Sequence, residues 1–275
     1  MTGKIRLTRR VGFSAGHRYW RDDRSEAQNR ALFGRWVSLY NHGHNYVLDV
    51  SAEGAVDRSN GMVVNIKTID DELRHEIVEK FEGKSINDEI EGFKTKTPTL
   101  ENIVHHIRCS LGDQVAGADL VGLRLEETPG FWVEIERKNN WKMTLTRTYE
   151  FSASHRLHAP HLPEEENERL FGKCGNPAGH GHNYVLEVTV SGKTDPETGM
   201  MADLMAVDAA VSQLVVDRYD HKNFNEDLPE FKGKITTTET VVQQIWDTLS
   251  GHLPAKLERV RLFETPKSSF EVSAE

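Results

Sequence analysis

Apolar and polar residues alternate along Lys4–Ala15 (KIRLTRRVGFSA) and again along Trp141–Ala153 (WKMTLTRTYEFSA). Period-two alternation is the mark of a strand with one covered face. Asn45–Gly54 (NYVLDVSAEG) and Asn183–Gly192 (NYVLEVTVSG) read as second strands. The spacing then changes. Ile66–Phe81 and Leu204–Tyr219 place apolar residues at helical intervals, as do the stretches after Thr97 and Thr236, where threonines ahead of a glutamate suggest a helix start. Two further strands follow in each half: 119–128 with 130–137, and 258–265 with 268–274. The order strand, strand, helix, helix, strand, strand occurs twice. It predicts α+β architecture, each copy an antiparallel sheet with two helices on one face.

The repetition extends to residues. Shifting the chain by 138 positions lays Leu7-Thr8-Arg9 on Leu145-Thr146-Arg147, Phe13-Ser14-Ala15 on Phe151-Ser152-Ala153, and Gly61-Met62 on Gly199-Met200. Near the end of each copy the offset falls by one, so that Glu127-Thr128-Pro129 meets Glu264-Thr265-Pro266. One long offset means two domains of one fold, not a solenoid. The boundary is expected at ERKNNWKM, where Asn139-Asn140 reads as a tight turn, giving domains 1–138 and 141–275.

Composition adds limits. With 275 residues, 37% hydrophobic and 28% charged, the chain is a globular protein of about two domains. A net charge of −9 argues against a broad nucleic-acid surface, though not against a local pocket for a small anion. Two cysteines make no disulfide framework and fit a reducing compartment. No apolar run has the length of a signal peptide or membrane span, so a cytoplasmic protein is expected.

The candidate chemistry lies in histidines. Each copy has His-Gly-His just ahead of its second strand: His42 and His44, then His180 and His182. In extended chain, residues i and i+2 share a side. A third histidine, His17 or His155, follows the first strand. If the two strands are neighbours, three imidazoles converge on one ion and leave zinc an open position, the pattern of a catalytic site. The alternative is polar surface or capping histidines. The copies have diverged elsewhere, so retention of all three positions weighs against it. His75, His105, His106, His158, His161 and His252 have no counterpart and are read as ordinary surface or satisfied residues.

FSASHRL, LFGKCGNPAGHGHNY, TGMMADL, YDHKNFNEDLP, TTTETV and LFET, in that order across residues 143–275, closely resemble the 6-pyruvoyl tetrahydropterin synthase family. FSAGHRY, HGHNY, NGMVVNI, PTLENIV and LEET resemble it more weakly in the first half. The resemblance implies the tunnelling fold, whose sheets join between subunits into a barrel. It implies zinc ligands at His155, His180 and His182, a catalytic cysteine at Cys174, an Asp-His pair at Asp220 and His221, and a pterin-anchoring glutamate at Glu264 with Thr237 and Glu239 nearby. The implied substrate is 7,8-dihydroneopterin triphosphate, which loses triphosphate to give 6-pyruvoyl tetrahydropterin without an external redox cofactor. The five residues between Cys174 and His180 resemble this branch more than the 6-carboxytetrahydropterin synthases of the deazapurine (queuosine) route, the enzymatic alternative. A pterin- or metal-binding protein without turnover is the alternative of another class.

The first copy is degenerate on this reading. Trp36 stands where Cys174 stands, Glu82-Gly83 where Asp220-His221 stand, and Asn65 where Asp203 stands. It keeps His17, His42, His44 and Glu127, so metal binding without turnover is expected there. The expected partners are a small pterin triphosphate and other copies of the chain, with neither nucleic acid nor membrane. A trimer of tandem chains would give the six units of the family's hexamer; a dimer or tetramer follows if the two domains alternate within one barrel.

Overall fold

The computed structural model describes residues 3–274. The chain divides into two compact units. The first runs to Leu145 and also includes Gly192–Ala202; the second holds Thr146–Ser191 and the chain from Asp203 onward.

In the first unit, β1 (Ile5–His17) pairs antiparallel with β2 (His42–Gly54) in a register that sets His17 opposite His42 and Ala15 opposite His44. Between them lies α1 (Glu26–Phe33) and a 3-10 turn, Gly34–Trp36. Next, α2 (Ile66–Leu73) runs through a π turn, Arg74–Val78, into α3 (Glu79–Phe81). The two-residue β3 (Lys84–Ser85) pairs parallel with β1, an exception to the otherwise antiparallel sheet, and α4 (Ile86–Glu89) follows. After α5 (Leu100–Leu111) come β4 (Gln114–Val115), β5 (Ala118–Thr128) and β6 (Phe131–Glu136). The main strand order is β6-β5-β2-β1-β3. Residues 136–141 turn back sharply, with Asn140 left-handed at φ 52°.

The second unit repeats this plan. It comprises β7 (Lys142–His155) from Thr146 onward, α6 (Glu164–Phe171), a 3-10 turn at Gly172–Gly175, β8 (His180–Ser191), α7 (Leu204–Val211), a π turn at Ser212–Val216, α8 (Asp217–Tyr219), β9 (Lys222–Asn223), α9 (Thr238–Leu249), β10 (Lys256–Thr265) and β11 (Ser268–Ser273). Strand order is β11-β10-β8-β7, with β9 beside β7.

The alternation seen in the sequence becomes burial. Tyr46, Leu48, Val50 and Ala52 of β2 are all buried, as are Tyr184, Leu186, Val188 and Val190 of β8. Ile69, Leu73, Ile103 and Ile107 cover the first sheet from one side; Val207, Val211, Val241 and Ile245 are their equivalents in the second unit. Each such side chain contributes about 1.5–3 kcal/mol by leaving water. Two helices per copy therefore carry the packing, as the periodicity predicts. Helices α1 and α6 are additions. They are mostly polar, and a buried asparagine ties each to the preceding loop: Asn29 bonds the N–H and C=O of Arg21, and Asn167 those of Ala159. No helix among the described residues is long and apolar enough to cross a membrane.

Candidate active site

The strand register brings the histidines together. In the second unit, His155 ends β7 while His180 and His182 begin β8, and their ring nitrogens lie within 4.8 Å of one another. The Nε2 atoms of His155 and His180 are 3.2 Å apart. His155 is buried, and its Nδ1 lies 2.7 Å from the carbonyl oxygen of Thr236. That carbonyl can only accept, so the proton sits on Nδ1 and Nε2 presents a lone pair toward the cluster. Burial lowers the pKa of both His155 and His182, which favours the neutral rings a metal needs.

The first unit has the same arrangement. His17 Nδ1 lies 2.9 Å from the carbonyl of Pro98, and His17, His42 and His44 form a second triad. Burial pushes His17 down to about 3 against the opposing effect of that bond, and His44 down to about 4.

The two copies part where Cys174 should act. Cys174 lies half-buried in the 3-10 turn after α6, and its carbonyl accepts the Leu157 N–H at 2.9 Å. Trp36 occupies the equivalent turn, with the Arg35 guanidinium 4.4 Å from its ring centre. Its indole N–H is buried without a partner among the described residues. The other cysteine, Cys109, is exposed on α5.

Asp220 and His221 are joined to each other and to the edge of β7. Asp220 Oδ1 accepts the Ser152 N–H at 2.7 Å, and its Oδ2 lies 2.7 Å from His221 Nδ1. The Ser152 N–H and the His221 ring hold the Asp220 carboxyl below its usual range. His221 shares an open cavity with His182 and Asn183. Its φ is 58°, a left-handed conformation that costs most residues about 1–2 kcal/mol. Glycine occurs at that place in the first unit: Gly83 has φ 69°, and Glu82 accepts the Ser14 N–H at 2.8 Å as Asp220 does Ser152's. The backbone is the same; the second copy puts an imidazole where glycine is the easy choice.

Glu264 sits against the triad. Its Oε1 is 3.7 Å from Nε2 of both His155 and His182 and accepts Thr238 Oγ1–H at 2.7 Å. Glu127 stands likewise 3.9 Å from His17 and 3.7 Å from His44. Thr237 caps α9, while Glu239 is exposed beside it. No capping box forms at either threonine-rich helix start. Thr99 alone caps α5, and Glu101 accepts the Met201 N–H at 2.8 Å instead.

A model of the family described as "6-pyruvoyl tetrahydropterin synthase" matches residues 6–138 and again 144–275. The chain belongs to this family. It is 46% identical over 125 residues to a 6-pyruvoyl tetrahydrobiopterin synthase of Poecilia reticulata, covering 45% of this chain and 85% of that protein. It is 28% identical over 149 residues to a 6-carboxy-5,6,7,8-tetrahydropterin synthase of Rickettsia conorii, covering 48% and 99%. Among solved structures, a 6-pyruvoyl tetrahydropterin synthase of Caenorhabditis elegans aligns at TM-score 0.46 and 39% identity, over 48% of this chain and 95% of that one. Each relative thus corresponds to about half of this chain. Two copies of the family's tunnelling fold, of α+β class, make up the protein.

The triads fit the divalent metal this family implies. Nε2 of His17, His44 and His182 is buried with no hydrogen-bond partner among the described residues, an arrangement that costs free energy unless something fills it. Tetrahedral zinc–nitrogen bonds of about 2.0–2.1 Å place two ligand nitrogens about 3.3 Å apart, close to the His155–His180 separation. The orienting acceptors, Thr236 O and Pro98 O, escape sequence reading because any residue supplies a carbonyl. Thr238, which holds Glu264, has a signal in the threonine run TTTET.

Proposed function

We propose that this protein is a zinc-dependent lyase that converts 7,8-dihydroneopterin triphosphate to 6-pyruvoyl tetrahydropterin with loss of triphosphate, its chemistry confined to the C-terminal copy, residues 141–275. The observation that carries this reading is the left-handed His221, hydrogen-bonded to Asp220, in the copy that also has Cys174 and the complete triad. The first copy, residues 1–138, binds metal without turnover.

His155, His180 and His182 would hold the ion. A bound zinc ion supplies Lewis-acid polarisation of the substrate's side-chain oxygens, which strengthens the neighbouring carbon acid. The Cys174 thiolate takes the proton from that carbon, and His221, oriented by Asp220, returns or relays one. The Glu264 carboxylate accepts two N–H bonds from the aminopyrimidine ring, with Thr237 and Glu239 at the pterin end. The two cysteines suit a reducing, cytoplasmic setting, and the family's oligomeric habit extends to this chain.

The test is product analysis on dihydroneopterin triphosphate with the zinc-loaded chain and its Cys174→Ala variant. The reading requires triphosphate and a pyruvoyl pterin from the parent, and a loss of about 10²–10⁴-fold in the variant. Acetaldehyde among the products would assign the carboxy-forming reaction instead. Pterin binding without any product would make the protein a binder.

A further inference from the structure

A cavity of about 590 Å³ lies in the first unit, walled by residues 18–23 after β1, by Asn87 and Asp88 of α4, and by residues 93–97 ahead of α5. That volume suits a small molecule. No residue of the histidine triad lines it. His17 and Tyr19 stack in the core with ring centres 5.1 Å apart, while the alternate residues Arg18 and Trp20 face the cavity. Two side-chain amides fix the wall. Asn87 accepts the Arg18 N–H at 2.8 Å and donates to the Arg18 carbonyl at 3.1 Å; Asn29 holds Arg21 in the same way at 2.8 and 2.9 Å.

Three cations of this wall are matched. Arg18 bonds both oxygens of Asp88 at 2.7 and 2.8 Å, Arg21 bonds both oxygens of Asp23 at 3.0 and 2.9 Å, and Lys94 lies 2.6 Å from Glu91. Three other polar groups lining the cavity are not. The Lys96 ammonium, the Asp22 carboxylate and the Trp20 indole N–H have no hydrogen bond or ion pair among the described residues.

The second copy closes off each of these positions. His158 replaces Trp20 and lies 3.0 Å from Glu164. Pro160 replaces Asp22 and has no charge. Lys234, the counterpart of Lys96, donates to Gln244 Oε1 at 2.9 Å. In place of Gln244 the first copy has His106, which packs against Phe81 and Phe93. Lys96 is thereby left to the cavity.

We propose that this cavity binds a small zwitterion with a flat apolar body, an aromatic α-amino acid, its carboxylate on Lys96, its ammonium on Asp22 and its ring against Trp20. The unmatched pair selects the class. A ligand that is only anionic meets the carboxylates of Asp22, Asp23 and Asp88, and a plain amine meets the ammonium groups of Lys94 and Lys96. A molecule carrying both signs answers both walls with charge-assisted bonds, and Trp20 with Phe93 supplies aromatic surface for its ring.

The test reads binding with no pterin present, so it is independent of the reaction proposed above. The full zinc-loaded chain is titrated calorimetrically with L-phenylalanine and with L-tryptophan. It is then titrated with 3-phenylpropionate, which lacks the ammonium, and phenethylamine, which lacks the carboxylate. At least one of the amino acids is expected to bind with Kd of about 1 mM or tighter, and each analogue about tenfold or more weakly than that amino acid. Lys96 and Asp22 are both exposed, so Lys96→Met and Asp22→Asn leave the fold intact. Each should weaken the amino acid about tenfold or more, while Lys234→Met, the same change in the second copy, leaves binding at the parental value. No binding of either amino acid, an analogue that binds as tightly, either first-copy variant at parental affinity, or an equal loss in Lys234→Met would each overturn the proposal.

Discussion

The side chain of His155 points its Nδ1 at the main-chain carbonyl of Thr236, 2.7 Å away, and its Nε2 at His180 Nε2, 3.2 Å away. Nitrogens at that separation are bridged either by a proton, His180 Nε2–H donating to the His155 lone pair, or by a cation that both coordinate. His17 repeats the first relation with Pro98 at 2.9 Å. Zinc added to the metal-free chain is therefore expected to bind at two ions per chain. His182→Ala and His44→Ala should each leave one, and the double variant none, as read by metal analysis after dialysis. One ion in the parent would show that the first triad is vestigial.

His221 offers a separation of folding from function. Replacing it with glycine relieves the left-handed strain at φ 58° and removes an exposed bond to Asp220. The relief of about 1–2 kcal/mol is offset by glycine's larger unfolded-state entropy and by the lost exposed pair, which water screens. His221→Gly should keep its denaturant midpoint within about 1 kcal/mol of the parent and lose turnover about 10²–10⁴-fold. A large loss of stability with turnover intact would make the residue a fold element.

Acid should act on the metal-free first unit through its buried triad. His17 and His44 have folded pKa values of about 3 and about 4, lowered by burial, against about 6.5 in the unfolded chain. Below about pH 6.5 the unfolded state binds protons that the folded state refuses, so stability falls as pH falls. The decline spans pH 6.5 down to about 4 for His44 and about 3 for His17, and it vanishes above 6.5. Urea midpoints of chelator-treated protein should show this slope, and His44→Gln should flatten it. A flat profile from pH 7 to 4 would mean that the rings reach water.

Much of this was legible in the chain. The alternation of Tyr46-Val47-Leu48 and the helical spacing of Ile69, Leu73 and Ile77 record burial directly, because one face of each element must leave water. His-Gly-His placed two ligands on one side of β2 and β8, and the β1–β2 register put His17 opposite His42. Less visible were features that belong to backbone or to distant partners. The π turns at Arg74–Val78 and Ser212–Val216 have no residue signature. Helices α1 and α6 are held by single asparagines rather than an apolar stripe. Glu101 looked like a helix-start glutamate, and its bond to Met201 spans 100 positions that no local pattern reports.

Asn167 should be a positioning residue for the Cys174 turn. Its Oδ1 accepts the Ala159 N–H at 2.7 Å, and its Nδ2 donates to Ala159 O and Leu162 O at 3.0 and 3.1 Å, fixing α6 just ahead of Gly172–Gly175. Truncation leaves the buried Ala159 N–H without its partner, while Ala159 O keeps the Leu162 N–H, a cost of about 1–3 kcal/mol. Asn167→Ala should lower stability by that amount. Calorimetry and steady-state kinetics together check it: kcat should fall with KM little changed, since the thiol moves while Glu264 does not. Unchanged kcat would detach α6 from the chemistry.

Restoring the thiol in the first copy should restore nothing. Trp36 lies in the 3-10 turn equivalent to that of Cys174, and its copy retains the triad and Glu127, so Trp36→Cys supplies a sulfur at the corresponding position. What it does not supply is a proton relay. Glu82 holds the Ser14 N–H as Asp220 holds that of Ser152, but the next residue is Gly83, with no side chain to protonate or deprotonate. If elimination needs both a base and a relay, Trp36→Cys in a Cys174→Ala background stays at the background rate, with both metals still bound. Turnover that reappears in this double variant would show that the sulfur and the ion suffice, and that His221 owes its left-handed backbone to something other than the reaction.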